Sequence, residues 1–99
     1  MQHTTDLQRE IDGVVALVQR LGYTLDIPGG AVPGEPATLI DASGNALDDD
    51  DADEPLSAAA HLYALLIDLR NGVITSEEFQ GFGGEVVRAI VAQAQSDQG

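Results

Sequence analysis

The chain has 99 residues, no cysteine, and seventeen acidic against four basic residues, a formal charge of −13. Its length supports one hydrophobic core, and the missing cysteines exclude disulfides, thiol nucleophiles and thiolate metal sites. The basic residues are Arg9, Arg20, Arg70 and Arg88, too few and too scattered for direct binding to a nucleic-acid backbone or an anionic membrane, both of which need clustered cations.

The spacing of Leu7, Ile11, Val14, Val15, Val18 and Leu21 predicts an amphipathic helix over residues 5–21, within a segment 4–22. Thr5 and Gln8 have capping-box spacing, and Gly22 stands where a left-handed residue ends a helix. Tyr23 to Ile27 alternates apolar and polar residues like a half-buried strand. Pro28-Gly29-Gly30 and Pro33-Gly34-Glu35-Pro36 mark a loop. Ala37 to Asp41 predicts a second strand, and the turn Asp41-Ala42-Ser43-Gly44-Asn45 can return the chain into a short third strand at Ala46-Leu47.

Residues 48–54 form an acidic linker. Pro55, which has no N–H to lose, suits the start of a second helix over 55–70. That helix is apolar on more than one side: Ala59, Tyr63, Leu66 and Ile67 form one face, and Leu62, Leu65 and Leu69 widen it. Such a helix belongs in the middle of the structure. After Asn71-Gly72, Thr75 and Glu78 form a second capping box, opening a third helix over 75–95. Its apolar stripe would be Phe79, Phe82, Val86, Val87, Ile90 and Val91. Gly81, Gly83 and Gly84 weaken its first turns and signal a kink or a close approach of another part of the chain. Residues 96–99 should fray. The expected architecture over 1–99 is α+β: an N-terminal helix, a small antiparallel hairpin or three-stranded sheet over 23–47, and a C-terminal αα-hairpin.

Aromatic residues are only 4% of the chain, so the core must be built from Leu, Ile, Val and Ala. No apolar run approaches the ~20 residues that span a bilayer. Met1 to Thr5 has neither the basic nor the apolar part of a signal peptide. The expected location is therefore cytoplasmic.

The segment Gly72-Val73-Ile74-Thr75-Ser76-Glu77-Glu78-Phe79 resembles the second half of an EF-hand, with Gly72 at the sharp turn and Glu78 at the last ligand position. That alignment puts Ile67 and Leu69 at the first and third ligand positions, leaving Asn71 and Glu78 against the ~6 oxygens calcium requires. The same residues resemble the helical hairpin of short C-terminal oligomerisation modules, in which a leucine-rich helix, a glycine and an Ile-Thr-x-Glu-Glu-Phe start recur. The plainer account of these residues, and the one expected, is a well-capped αα-hairpin. Ser57, His61 and Asp53 lie on one side of a helix, but a single helix rarely supplies in-line nucleophile geometry and no oxyanion-forming loop accompanies them. His3 and His61 do not make a metal site. The glycine-rich stretches lack phosphate-loop spacing and lysine. No enzymatic activity, cofactor or metal is expected.

Seven acids and no base lie between Asp41 and Glu54: Asp41, Asp48, Asp49, Asp50, Asp51, Asp53 and Glu54. Arg20 and Arg70 offset helix C-termini, and Glu54, Glu77 and Glu78 suit helix N-termini. Asp48 to Asp51 have no such account. They form either a solvated linker or a surface that engages a basic protein. The leading expectation is a small acidic interaction protein that occupies a basic surface of a partner, as inhibitor or regulator. Its sharper form is nucleic-acid mimicry, the partner then being a nucleic-acid-binding protein. The second hypothesis is a structural or homo-oligomerisation module using the last two helices. The third is a cation-responsive binder.

Overall fold

The computed structural model describes residues 2–27, 35–48 and 51–98, with side chains from 6 to 96 within those limits. The order of elements is α1 (Gln2–Arg20), β1 (Thr24–Asp26), β2 (Thr38–Ile40), β3 (Ala46–Leu47), α2 (Glu54–Arg70), α3 (Ser76–Gly81) and α4 (Gly84–Gln98). This is the α+β arrangement expected, with the sheet three-stranded and antiparallel in the order β1-β2-β3. The predicted loop Pro28 to Gly34 lies outside the described residues.

α2 organises the core. No charged residue stands between Glu54 and Asp68, so the helix has no face suited to water along most of its length. Leu56, Ala58, Ala59, Ala60, Leu62, Ala64, Leu65 and Leu66 are buried. α1 and α4 pack along it, and α3 and β2 also contact it. The predicted stripe of α1 faces this core, with Ile11, Val14 and Val18 buried. Leu17, absent from that stripe, is buried too. Small side chains on α2 let the backbone of the sheet come close: the Ala37 N–H donates to the Ala60 carbonyl at 3.1 Å.

The sheet register pairs Leu25 with Leu39 and Leu39 with Leu47. Because strand side chains alternate in direction, this makes one row of three leucines across the inner face. Leu39 is buried, and Leu25 and Leu47 pack against the core. Thr24 and Asp26 alternate with Leu25 and are exposed. The second hairpin closes as the sequence suggests: Asp41 N–H donates to the Asn45 carbonyl at 2.9 Å, and Gly44 adopts φ +89°.

Two expectations about helices are corrected. α1 starts at Gln2 rather than beside Thr5. Gln2 to Thr4 contain neither proline nor glycine to stop the helix from extending backwards, so Thr5 lies inside it and is not its cap. The Gln8 amide nitrogen donates to Asp12 Oδ1 at 3.0 Å, and its oxygen accepts from Arg70 Nη1 at 2.8 Å, tying α1 to the end of α2.

The predicted third helix is two helices. α3 ends at Gly81, with Phe82 as its C-cap, and Gly83 adopts φ +83°, a conformation that side chains disfavour. The Gly83 carbonyl then accepts from Val86 N and Val87 N, both at 3.1 Å, and α4 begins. Gly84 has a separate steric reason to be glycine. A Cβ there would lie 2.3 Å from Cε1 of Phe79. The ring of buried Phe79 thus fills the space above the start of α4. The break also resets the helical frame, so Val91 is buried while Phe82 and Val86 are 41% and 64% exposed. The single stripe predicted across Phe79 to Val91 is therefore incorrect at those two positions. α4 continues through Gln98, beyond residue 96 where fraying is predicted.

Replacing Gly84 with alanine should lower the unfolding free energy by about 1–3 kcal/mol, since the added methyl must displace the Phe79 ring. Gly81→Ala should instead raise it by about 0.5–1 kcal/mol, because that site is open and helical. Urea unfolding of the two variants checks this; equal effects would argue against the steric role of the Phe79–Gly84 contact.

Candidate partner-binding surface

The acids from Asp41 to Glu54 follow the end of the sheet into the start of α2, and the structure gives them unequal surroundings. Asp41 is committed locally. Its Oδ1 accepts from Ser43 N at 2.9 Å and from Asn45 N at 3.0 Å, which holds the hairpin turn. Asp48 immediately follows β3 and is exposed. Its carbonyl accepts from Asp51 N at 3.0 Å and Ala52 N at 3.1 Å, turning the chain back on itself. Ala52 packs against the core, which anchors the segment between two exposed carboxylates, Asp51 and Asp53. Asp49 and Asp50 lie outside the described residues.

Asp53 is the N-cap of α2 in extended conformation, but its side chain makes no capping bond. Its carbonyl accepts from Ser57 N at 2.9 Å. Glu54 occupies the first turn of the helix, with Pro55 after it. Both carboxylates sit where the positive end of the helix dipole favours an anion. That favour is local and does not neutralise them.

The register adds a feature at the sheet end. Asp26 pairs with Thr38. Continuing the β2–β3 register by one residue sets Asp48 opposite Thr38 from the other side. Asp26 and Asp48 therefore flank the central strand at one end, both exposed. The acidic surface extends beyond the linear run to a residue that sequence spacing does not single out.

No ion pair offsets this surface among the described residues. Among the described residues the ion pairs are both made by Arg88, with Glu10 and Glu85. Arg88 Nε meets Glu10 Oε2 at 2.6 Å and Nη2 meets Glu10 Oε1 at 3.1 Å, a two-pronged contact joining α4 to α1. Nη1 meets Glu85 Oε2 at 2.7 Å. The guanidinium also lies over the Phe79 ring, 4.8 Å from its centroid. The hydrogen bonding that Arg88 donates to Glu10 raises the Arg88 pKa above its ordinary value, against the opposing effect of burial. Arg88 is thus spent on joining α1, α3 and α4. The Glu85–Arg88 spacing is visible in the sequence, but Glu10 is 78 positions away and gives no local signal.

Beside Glu54 lies a groove that sequence reasoning missed. It has a volume of about 450 Å³ and is lined by Leu21, Glu54, Pro55, Ala89, Ile90, Gln93 and Ala94. A second depression of about 310 Å³ shares Glu54 and Ile90 with it and continues past Ala52 and Ala58 to His61 and Val87. The i, i+4 pair Ile90–Ala94 is legible in the sequence. Its placement at a groove is not, because the same spacing describes a core stripe.

The other candidate chemistries meet specific geometry. In the EF-hand-like segment, Thr75 Oγ1 accepts from Glu78 N at 3.1 Å and Glu78 Oε1 accepts from Thr75 N at 2.9 Å. The carboxylate at the last ligand position therefore caps α3. Ile67 and Leu69 pack against the core. Val73 N donates to Asp68 O at 2.8 Å and Gly72 N to Leu69 O at 3.2 Å, closing α2 with an ordinary helix-end motif. No group of three or more potential metal-binding side chains occurs among the described residues. His61 Nε2 donates to the Phe82 carbonyl at 3.1 Å, linking α2 to the end of α3. No side-chain hydrogen bond joins Ser57, His61 and Asp53 to one another among the described residues, where His61 is engaged with Phe82 instead, and no helix there is long and apolar enough to cross a membrane.

Compared with protein-family models, curated proteins and solved structures, the chain matches none.

Thermal unfolding in calcium and in chelator, at matched ionic strength, should agree within a few degrees, because Glu78 is engaged in its cap. Thr75→Ala should cost about 1 kcal/mol through loss of that cap. A large rise in melting temperature on adding calcium would contradict this assignment.

Proposed function

We propose that the protein acts by binding, presenting its carboxylate surface to a basic surface of a partner protein and so inhibiting or regulating it. The observation that carries this reading is the absence of ion pairing: among the described residues, Asp26, Asp48, Asp51, Asp53 and Glu54 make no ion pair, while Arg88 makes both that exist. Carboxylates left uncompensated at one end of a small domain repel one another. A basic partner removes that repulsion as it binds and is drawn in by the field before contact.

Nucleic-acid mimicry is the sharper form of the same reading. B-DNA carries one charge per ~1.7 Å of axis, so a mimic needs a dense, ordered array of acids. Asp26 and Asp48 across the sheet end, with Asp51, Asp53 and Glu54 beyond, supply the nucleus of such an array. The function would be to occupy the cationic site of a nucleic-acid-binding protein. A location in the cytoplasm accords with a cysteine-free chain.

A self-associating module is the second reading, favoured by the exposure of Phe82 and Val86 near the α3–α4 break. It has to overcome the mutual repulsion of copies that each carry −13.

Capture from lysate of the source cells separates the two readings. Replacing Asp48, Asp49, Asp50 and Asp51 with Asn should reduce partner capture and flatten its dependence on salt, leaving melting unchanged or slightly higher. Capture that is identical for wild type and variant at low salt would defeat the proposal. Concentration-dependent self-association lost on Phe82→Ser and Val86→Ser substitution would support the second reading instead. Independently of any partner, potassium chloride at about 0.1 M should raise the denaturation midpoint by screening self-repulsion over about 10 Å. Unchanged or falling stability would mean that the acids are compensated locally.

A further inference from the structure

Building on the proposed binding to a basic partner, we infer that the partner element is an amphipathic helix with a basic polar face, and that it docks in the groove between the start of α2 and α4.

Apolar residues run the length of this groove, Leu21, Pro55 and Ile90 in its first part and Ala58 and Val87 in its continuation, where Ser57 and His61 add polar groups. Ile90 lies in both parts, so the trough runs along α4 from Ala94 to Val87. At 1.5 Å per residue that is about 10 Å, or two helical turns. This length matches apolar anchors spaced i, i+3 or i+4, and i+7 on an incoming helix. α4 contributes uncharged Ala89 and Gln93, and exposed Ala89 leaves room for a bulky anchor.

The rim decides which kind of helix fits. Glu54 belongs to both parts of the trough. Ala52 lines the second part, with exposed Asp51 and Asp53 on either side of it in the chain. The nearby opposing charge is exposed Arg20, next to Leu21. Three carboxylates against one guanidinium favour an incoming element that carries lysine or arginine beside its apolar stripe. A second copy of this chain is disfavoured by the same rim. The hydrophobic contact would hold the partner in place, while the carboxylates accelerate its arrival and select its charge. The break at Gly83–Gly84 sets the direction of α4, and with it this groove.

The test uses the full chain and peptides of about 18 residues, five helical turns. One peptide arranges leucine and lysine as an amphipathic helix, a second scrambles the same composition, and a third replaces every lysine with glutamate. The amphipathic lysine peptide should bind about tenfold or more tightly than the scrambled one, and the glutamate peptide should not bind. Ala89→Trp, which fills the groove from an exposed position, should remove that advantage while leaving the salt-sensitive residual binding. Asp51→Asn, Asp53→Asn and Glu54→Gln together should weaken both lysine peptides. Equal binding of the amphipathic and scrambled lysine peptides, unaffected by Ala89→Trp, would overturn the groove assignment while leaving attraction to basic partners intact. Failure of both lysine peptides to bind at low salt would overturn the groove and the proposed function together. A wild-type dimer in sedimentation that Ala89→Trp dissociates would assign the groove to a second copy and overturn the inference.

Discussion

Burial of α2 is the constraint on which the remaining elements depend. A helix with no charge between Glu54 and Asp68 and with leucine or alanine around most of its circumference cannot stay on a surface. α1 and α4 cover its flanks, and the sheet brings its row of three leucines against the same core. Alanines at 58, 59, 60 and 64 set how near these neighbours come. The Ala37–Ala60 backbone hydrogen bond shows the result, a strand approach resting directly on a helix carbonyl. A larger side chain at this contact would separate the sheet from α2 and weaken both.

The second arm of the C-terminal hairpin has to satisfy two demands at once. Phe79 needs burial, and α4 must lie along α2. One straight helix would carry Phe79, Phe82 and Val86 around a fixed frame. The turn through Gly83, with the Phe79 ring against Gly84, lets α3 insert its aromatic ring and α4 leave in a new direction. Arg88 then joins the parts by holding Glu10 on α1 while lying over Phe79. This one side chain contributes charge, hydrogen bonding and packing at the junction.

The same geometry separates the protein's charges. Arg88 is consumed inside the helical assembly, and Arg70 is directed to Gln8. The turn after β3 and the start of α2 carry carboxylates that make no ion pair among the described residues. Next to Asp51 and Asp53, Ala52 packs on the core, and its N–H also donates to the Asp48 carbonyl. An anchored surface loses less freedom on binding than a loose chain, so more of its attraction is available to hold a partner.

The sequence by itself determined the class of fold and most element ends, because those rest on local physics. Period 3.6 marked α1 and α2, alternation marked the strands, and the Thr75–Glu78 capping box is present as its spacing implies. The Asp41–Asn45 turn is equally local. The acidic run was legible as composition, and the missing ligands at Ile67 and Leu69 were legible as chemistry. Only tertiary structure decided the rest. Leu17 is buried because α1 packs along α2, whose apolar surface extends around most of that helix, a fact of the partner and not of α1. Phe82 and Val86 face outward because a ring from α3 and two glycines reset the helical frame, which a continuous periodicity cannot express. Arg88 meets Glu10 across 78 residues of chain, and Asp26 shares a sheet end with the start of the acidic segment, across the central strand, only through strand register. The groove beside Glu54 exists for the same reason: its lining comes from α2, α4 and Leu21 in the turn after α1, whose relative placement is set by packing around α2.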